Sequence, residues 1–177
     1  MSVSHGVATP ATLLATSTVE VDEMAHTFVG CTDGSELSIA ALAAGLSMLD
    51  LADARIVVVS VVEAVDPMLV TGTGIAGGLM SAEEFATTQE QEMLEGEGAL
   101  AAAAASLGRN VETRVLTGDA GPTICDFADE VEATAIVLGS RGRSGFKRAM
   151  LGSVSDYVIR NASCPVLVTG AEADEAQ

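Results

Sequence analysis

Four of the chain's eight basic side chains, Arg141, Arg143, Lys147 and Arg148, fall within one short segment that holds no acid. Glycines frame that segment: Gly139-Ser140-Arg141-Gly142 on one side and, after nine further residues, Gly152-Ser153 on the other. Glycine has no Cβ, so the backbone there can turn sharply and approach a ligand closely. A helix opening at Ser153 adds free backbone N–H groups, a hydroxyl and the positive end of its dipole at one spot. The four cations raise the local potential further. Together these features describe an anion cradle, and phosphate is its natural occupant. A solvated loop whose charges only aid solubility is the plainer reading of any isolated glycine-rich motif. Here the segment is expected to follow a central strand and to end at a helix start, which favours the cradle.

The elements that must position this loop alternate along the chain. His26–Thr32 (HTFVGCT) is a short β-rich run followed by a turn signal, Asp33-Gly34-Ser35. Leu37, Ala41, Ala44, Met48 and Leu51 then recur at helical spacing, with Ser35 as the N-cap. Arg55–Val62 (RIVVVSVV) is an almost continuous β-branched run, as expected of a strand covered on both faces. After a loop from Glu63 to Met80, Ser81 and Glu84 form a capping box that opens an Ala-rich helix reaching about Leu107, its middle weakened by Gly96 and Gly98. Val111–Leu116 reads as a third strand. Gly121-Pro122 opens a helix with Pro at its first position and a buried stripe of Ile124, Phe127, Ala128 and Val131. Thr134–Leu138 is a fourth strand ending at Gly139, Ser153–Asn161 a last helix, and Pro165–Thr169 a fifth strand.

This alternation predicts an α/β fold: one doubly wound, five-stranded parallel sheet with helices on both faces and right-handed crossovers. Ligand is expected beyond the carboxyl ends of the strands, at a topological switch point. The length of 177 residues suits one domain, over 25–170, with a poorly ordered extension at 1–24 and an acidic tail at 171–177. Met24, directly before the first strand, is an alternative start of translation.

Composition removes several classes of function. With 25 acidic residues against 8 basic ones, the net charge of −17 opposes phosphate backbones and anionic bilayers, so neither nucleic acid nor membrane is expected as a partner. No run of about 18 apolar residues would cross a membrane. Cys31, Cys125 and Cys164 are odd in number and contain no C-x-x-C pair, which suits a reducing, cytoplasmic setting better than a disulfide framework or a thiolate metal site. The acidity itself fits either a saline cytoplasm or an ordinary solvated surface.

The pattern Gly-x2-Gly-x9-Gly-Ser resembles the nucleotide-binding signature of the universal stress protein family. The surrounding ATAIVLGSRGRSGFKRAMLGSVSDYVIRNASCPVLV is similar to that family's carboxyl-terminal half, and FVGCTDGSELS resembles its first strand and turn, with Cys31 where Pro is frequent. The likeness covers His26 to Gly170. It implies an adenine nucleotide alpha hydrolase-like sheet in the order 3-2-1-4-5, with the switch point between Asp33 and Gly139. It further implies that Asp33, beside Thr32, reaches the adenosine portion and that Val61 packs at the adenine. Gly139 would approach the ribose, and Gly142, Gly152, Ser153, Val154 and Ser155 would line the phosphates, with Arg141 in the loop between them. All three glycines and the Ser are kept, so the chain resembles the ATP-binding branch. ATP or another adenine nucleotide, with or without Mg²⁺, is the implied ligand, and a homodimer through the Pro165–Thr169 edge strand the implied assembly.

Other candidates carry less. Gly72-Thr73-Gly74-Ile75-Ala76-Gly77 matches G-x-G-x-x-G, but it stands ten residues after the second strand instead of between the first strand and its helix. His26 has only His5 as a companion, too little for a histidine triad or a His-based metal site. Cys31 reads as a packed thiol. No Walker motif is present, and no Asp or Glu lies between Gly139 and Ser155, so no catalytic residue is assigned. Asp33 and Asp119 remain the carboxylates nearest to a Mg²⁺ role. The first expectation is therefore a nucleotide-dependent sensing or regulatory module in stress response. A slow ATPase or autophosphorylating enzyme, with Ser153, Ser155 or Thr32 as acceptor, and a dimeric interaction protein with nucleotide as structural ligand are the alternatives.

Overall fold

The computed structural model describes residues 26–64, 81–140 and 151–170. Within them the order is β1 (Thr27–Cys31), α1 (Glu36–Leu46), β2 (Arg55–Val62), α2 (Ala82–Leu107), β3 (Glu112–Thr117), α3 (Ala120–Glu130), β4 (Ala135–Gly139), α4 (Ser153–Asn161) and β5 (Val166–Thr169). The five strands form one sheet, all parallel, in the order β3-β2-β1-β4-β5. This is the predicted doubly wound α/β architecture, with β1 and β4 adjacent at the reversal of strand order. The expected extension at 1–24, the motif at 72–77 and the tail at 171–177 lie outside the described residues.

The β-branched runs explain the layers. Alternate residues of a strand point to opposite faces, and in β2 Val57 and Val59 join Val29, Ile136 and Leu138 under Ile124, Ala128 and Val158 of α3 and α4. Ile56 and Val58 turn the other way and meet Leu42 and Leu46 of α1 and Leu100 and Ala103 of α2. Both faces are thus covered, as a purely parallel sheet requires.

Several local details differ from the sequence expectation. α1 ends at Leu46, so Met48 is off the helix and 69% exposed, while Leu49 and Leu51 pack on the core from the turn that follows. Pro122 is the third residue of α3, not the first, because Asp119 occupies the N-cap position. It is still tolerated, since first-turn N–H groups have no intrahelical acceptor. Gly96 does not merely weaken α2. It is buried, and a Cβ there would stand 2.9 Å from Val115 and 3.0 Å from Val62, so it lets the helix lie close on β2 and β3. The capping box is formed as expected: Glu84 N donates to Ser81 Oγ at 3.1 Å and Ser81 N to the Glu84 carboxylate at 2.8 Å.

Candidate functional site

A cavity of about 460 Å³ opens where the carboxyl ends of β2, β1 and β4 meet the first turn of α4. β1 and its turn supply Cys31, Thr32 and Asp33; β2 supplies Val59 and Val61, with Glu63 just beyond; β4 supplies Leu138 and Gly139. Gly152, Ser153, Val154 and Ser155 close the opposite side, with Ser38, Ala120 and Ile124 from α1 and α3. Eight of the ten residues selected from sequence therefore border one cavity: Thr32, Asp33, Val61, Gly139, Gly152, Ser153, Val154 and Ser155. Arg141 and Gly142 lie outside the described residues, as do the other three cations of that loop. Ser38 and Glu63 were not selected, although each had a signal. Ser38 is one turn from the Ser35 cap, and Glu63 is the first residue past β2, two positions beyond Val61.

The turn after β1 is held by its own side chains. The Asp33 carboxylate accepts from Ser35 N at 3.0 Å and from Ser35 Oγ at 2.7 Å, an Asx-type closure. Ser35 Oγ in turn accepts from Ser38 N at 3.2 Å as the N-cap of α1. Thr32 N donates to Val59 O at 3.0 Å, and Thr32 Oγ1 accepts from Gly34 N at 3.1 Å. Thr32 and Ser38, both buried, join hydroxyls at 2.8 Å, and Ser38 Oγ donates to Ser35 O at 2.9 Å. Gly34 has φ +81°, and a Cβ there would sit 2.7 Å from that of Ala99. Only glycine fits both the left-handed backbone and the close approach of α2.

The opposite side offers donors. α4 begins at Gly152 with no side-chain cap, so its first N–H groups are open toward the cavity at the positive end of the dipole. Ser155 Oγ donates to Gly139 O at 2.7 Å and ties the helix to the end of β4. Gly152 N donates to Ser140 O at 2.9 Å, and Ser140 N to Thr169 O at 2.7 Å, so both flanks of the basic segment are anchored. Of the hydroxyls considered as phosphoryl acceptors, Ser155 spends its proton on Gly139, and Thr32 spends its own on Ser38. Ser153 Oγ has no protein partner among the described residues.

Neither thiolate nor metal chemistry finds support here. Burial pushes the Cys31 thiol up to about 12, with the nearby Cys125 adding to the shift, so it is a neutral packed thiol. Cys125 is also buried, and Cys164 half-buried. Among the described residues no group of three or more His, Cys, Asp or Glu side chains could hold a metal ion, and Asp119 does not border the cavity. Among them, too, no helix is long and apolar enough to cross a membrane.

Comparison with known proteins follows the same outline. The model of the universal stress protein family matches residues 24–170. A universal stress protein of Methanocaldococcus jannaschii, MJ0531, is 34% identical over 77% of this chain and 77% of its own length. YxiE of Bacillus subtilis, also a universal stress protein, is 35% identical over 77% of this chain and 93% of its own. Among solved structures, the hypothetical protein MJ0577 has a TM-score of 0.64 at 20% identity, covering 85% of this chain and 99% of that one. A universal stress protein in complex with cAMP has a TM-score of 0.54 at 22% identity, covering 82% and 97%. An Arabidopsis thaliana universal stress protein with AMP bound has a TM-score of 0.52 at 18% identity, covering 86% and 95%. At these identities the solved structures show the fold alone, whereas the family model and the two sequence relatives span most of the chain. The chain belongs to the universal stress protein family.

Proposed function

We propose that the cavity binds an adenine nucleotide, ATP in the first instance, with or without Mg²⁺, and that the protein is a nucleotide-dependent sensing and regulatory module. One observation carries this. Gly139, Gly152 and Ser153, chosen for their spacing, and Val154 and Ser155, implied by the family resemblance, meet Thr32, Asp33 and Val61 around one cavity at the switch point of the sheet. The volume suits a small organic ligand, the α4 terminus suits an anion, and Val61 offers an apolar surface to a base. The cAMP and AMP of the two related structures support the choice of adenine. The four cations of residues 141–148 would reinforce the phosphate end.

A phosphoryl-transfer enzyme has one feature in its favour, the uncommitted hydroxyl of Ser153. Incubation with γ-labelled ATP separates the two: label on the protein or free phosphate above a Gly142→Val control supports the enzyme. We further propose a homodimer built on β5, whose outer edge has no strand beside it among the described residues.

The direct test is the mass of small molecules released when the purified full chain is denatured, followed by calorimetric titration with ATP, ADP and AMP. An adenine nucleotide should be released, and Gly152→Val should abolish binding by placing a branched side chain at the anion end. Unchanged ATP affinity in that variant overturns the site assignment.

A further inference from the structure

The polar side chains around the cavity are sorted by hydrogen-bonding sense. Ser38 has one hydroxyl proton and gives it to Ser35 O, so in its bond with Thr32 it is the acceptor and Thr32 the donor. Thr32 can thus offer a ligand only a lone pair. Asp33 and Glu63 are carboxylates, which only accept when ionised. Among the described residues, every polar side chain on the β1–β2 side of the cavity can therefore only accept from a ligand. The α4 side is the reverse: open N–H groups, the Ser153 hydroxyl, and a Gly139 carbonyl already occupied by Ser155.

Strand order gives this sorting a direction and a length. β2 and β4 flank β1, so the β2 end and the β4–α4 end of the cavity are two strand spacings apart, about 10 Å. A nucleotide with its phosphate at α4 and its base on Val61 spans that gap. The six-membered ring of a purine lies farthest from the sugar, so its position 6 is outermost. Glu63 lies just past the end of β2, two residues beyond Val61, exposed at the cavity's rim.

We infer that Glu63 is a specificity-determining residue, which faces position 6 of the base and selects an exocyclic amine there over a carbonyl. A 6-aminopurine donates to the carboxylate. A 6-oxopurine sets oxygen against oxygen, and among the described residues on this side of the cavity no side-chain donor relieves it. The assignment rests on nucleotide binding at this cavity.

The test is calorimetric titration of the full chain and of Glu63→Gln with AMP and with IMP. Wild type should favour AMP by about tenfold, the lower end for a hydrogen bond to a charged group at an exposed rim. In Glu63→Gln, whose amide both donates and accepts, the two ligands should bind within about threefold, mainly through tighter binding of IMP. The ratio is the readout, because removing a negative charge favours both phosphates alike. A wild type that binds both equally, or a variant that keeps the wild-type ratio, overturns the role of Glu63 and leaves the nucleotide site standing. A wild type that binds neither of these, nor ATP, overturns both.

Discussion

Gly34 couples the site turn to the long helix behind it, and replacing it with Ala separates two costs that a single measurement would merge. The first is backbone strain: at φ +81° an L side chain costs about 1–2 kcal/mol. The second is overlap, since the new Cβ would lie 2.7 Å from that of Ala99 and 3.2 Å from its Cα, and overpacking of this kind costs about 1–3 kcal/mol. Together they remove about 2–5 kcal/mol from a domain whose total stability is on the order of 5–15 kcal/mol. At about 2–4 °C per kcal/mol for a domain of this size, melting should fall by about 5–15 °C. Ala99→Gly alone should cost about 1 kcal/mol in helix propensity. In that background Gly34→Ala meets no methyl, so it should show mainly the strain, with a coupling energy of at least about 1 kcal/mol between the sites. Urea unfolding followed by circular dichroism suits a chain with no Trp. Additivity of the two substitutions within about 0.5 kcal/mol would refute the contact.

Three further outcomes are expected. A Cys31 thiol at about 12 instead of 9.0 holds about a thousandfold less thiolate at any pH below both values, and becomes a thiolate only as pH rises through the higher one; at pH 8 a thiol reagent should therefore spare Cys31 until the protein unfolds, and peptide mapping that finds it labelled in the native state contradicts its burial. Ser155→Ala removes the 2.7 Å bond to Gly139 O and should cost about 1 kcal/mol in thermal unfolding, with Ser155→Thr restoring most of it; equal melting of all three proteins would show that the bond contributes nothing. Sedimentation should show a dimer, and a wild-type monomer at every concentration excludes assembly through β5.

The sheet and its helices were legible because four of the five strands are largely apolar or β-branched runs that alternate with helical patterns, the polar β3 (ETRVLT) being the exception. β2 and α4 have the boundaries read from sequence. The end of α1 was not legible. Leu49 and Leu51 continue the helical spacing, yet the chain satisfies them from a turn, and periodicity alone cannot distinguish the two. The role of Gly96 was hidden for a related reason, since only the closeness of Val62 and Val115 shows why a side chain is unwelcome there. At the site, glycine spacing picked out the α4 side, because anion binding by backbone demands particular residue types. The β1–β2 side was less visible. Which way the Thr32 and Ser38 protons point depends on where Ser35 O lies, and Glu63 looks like any other surface acid until Val61 is placed beside it.

The hydrogen bond from Gly152 to Ser140 has a consequence for engineering. It joins the two ends of residues 141–151 to each other, so the span those residues must bridge is set by the scaffold and not by their number. Doubling such a loop costs only about 0.6 kcal/mol in closure entropy. The clasp is thus a natural port for grafted sequence. An environment-sensitive reporter inserted there would begin and end against the anion side of the cavity, turning the domain into a sensor of whatever ligand it holds.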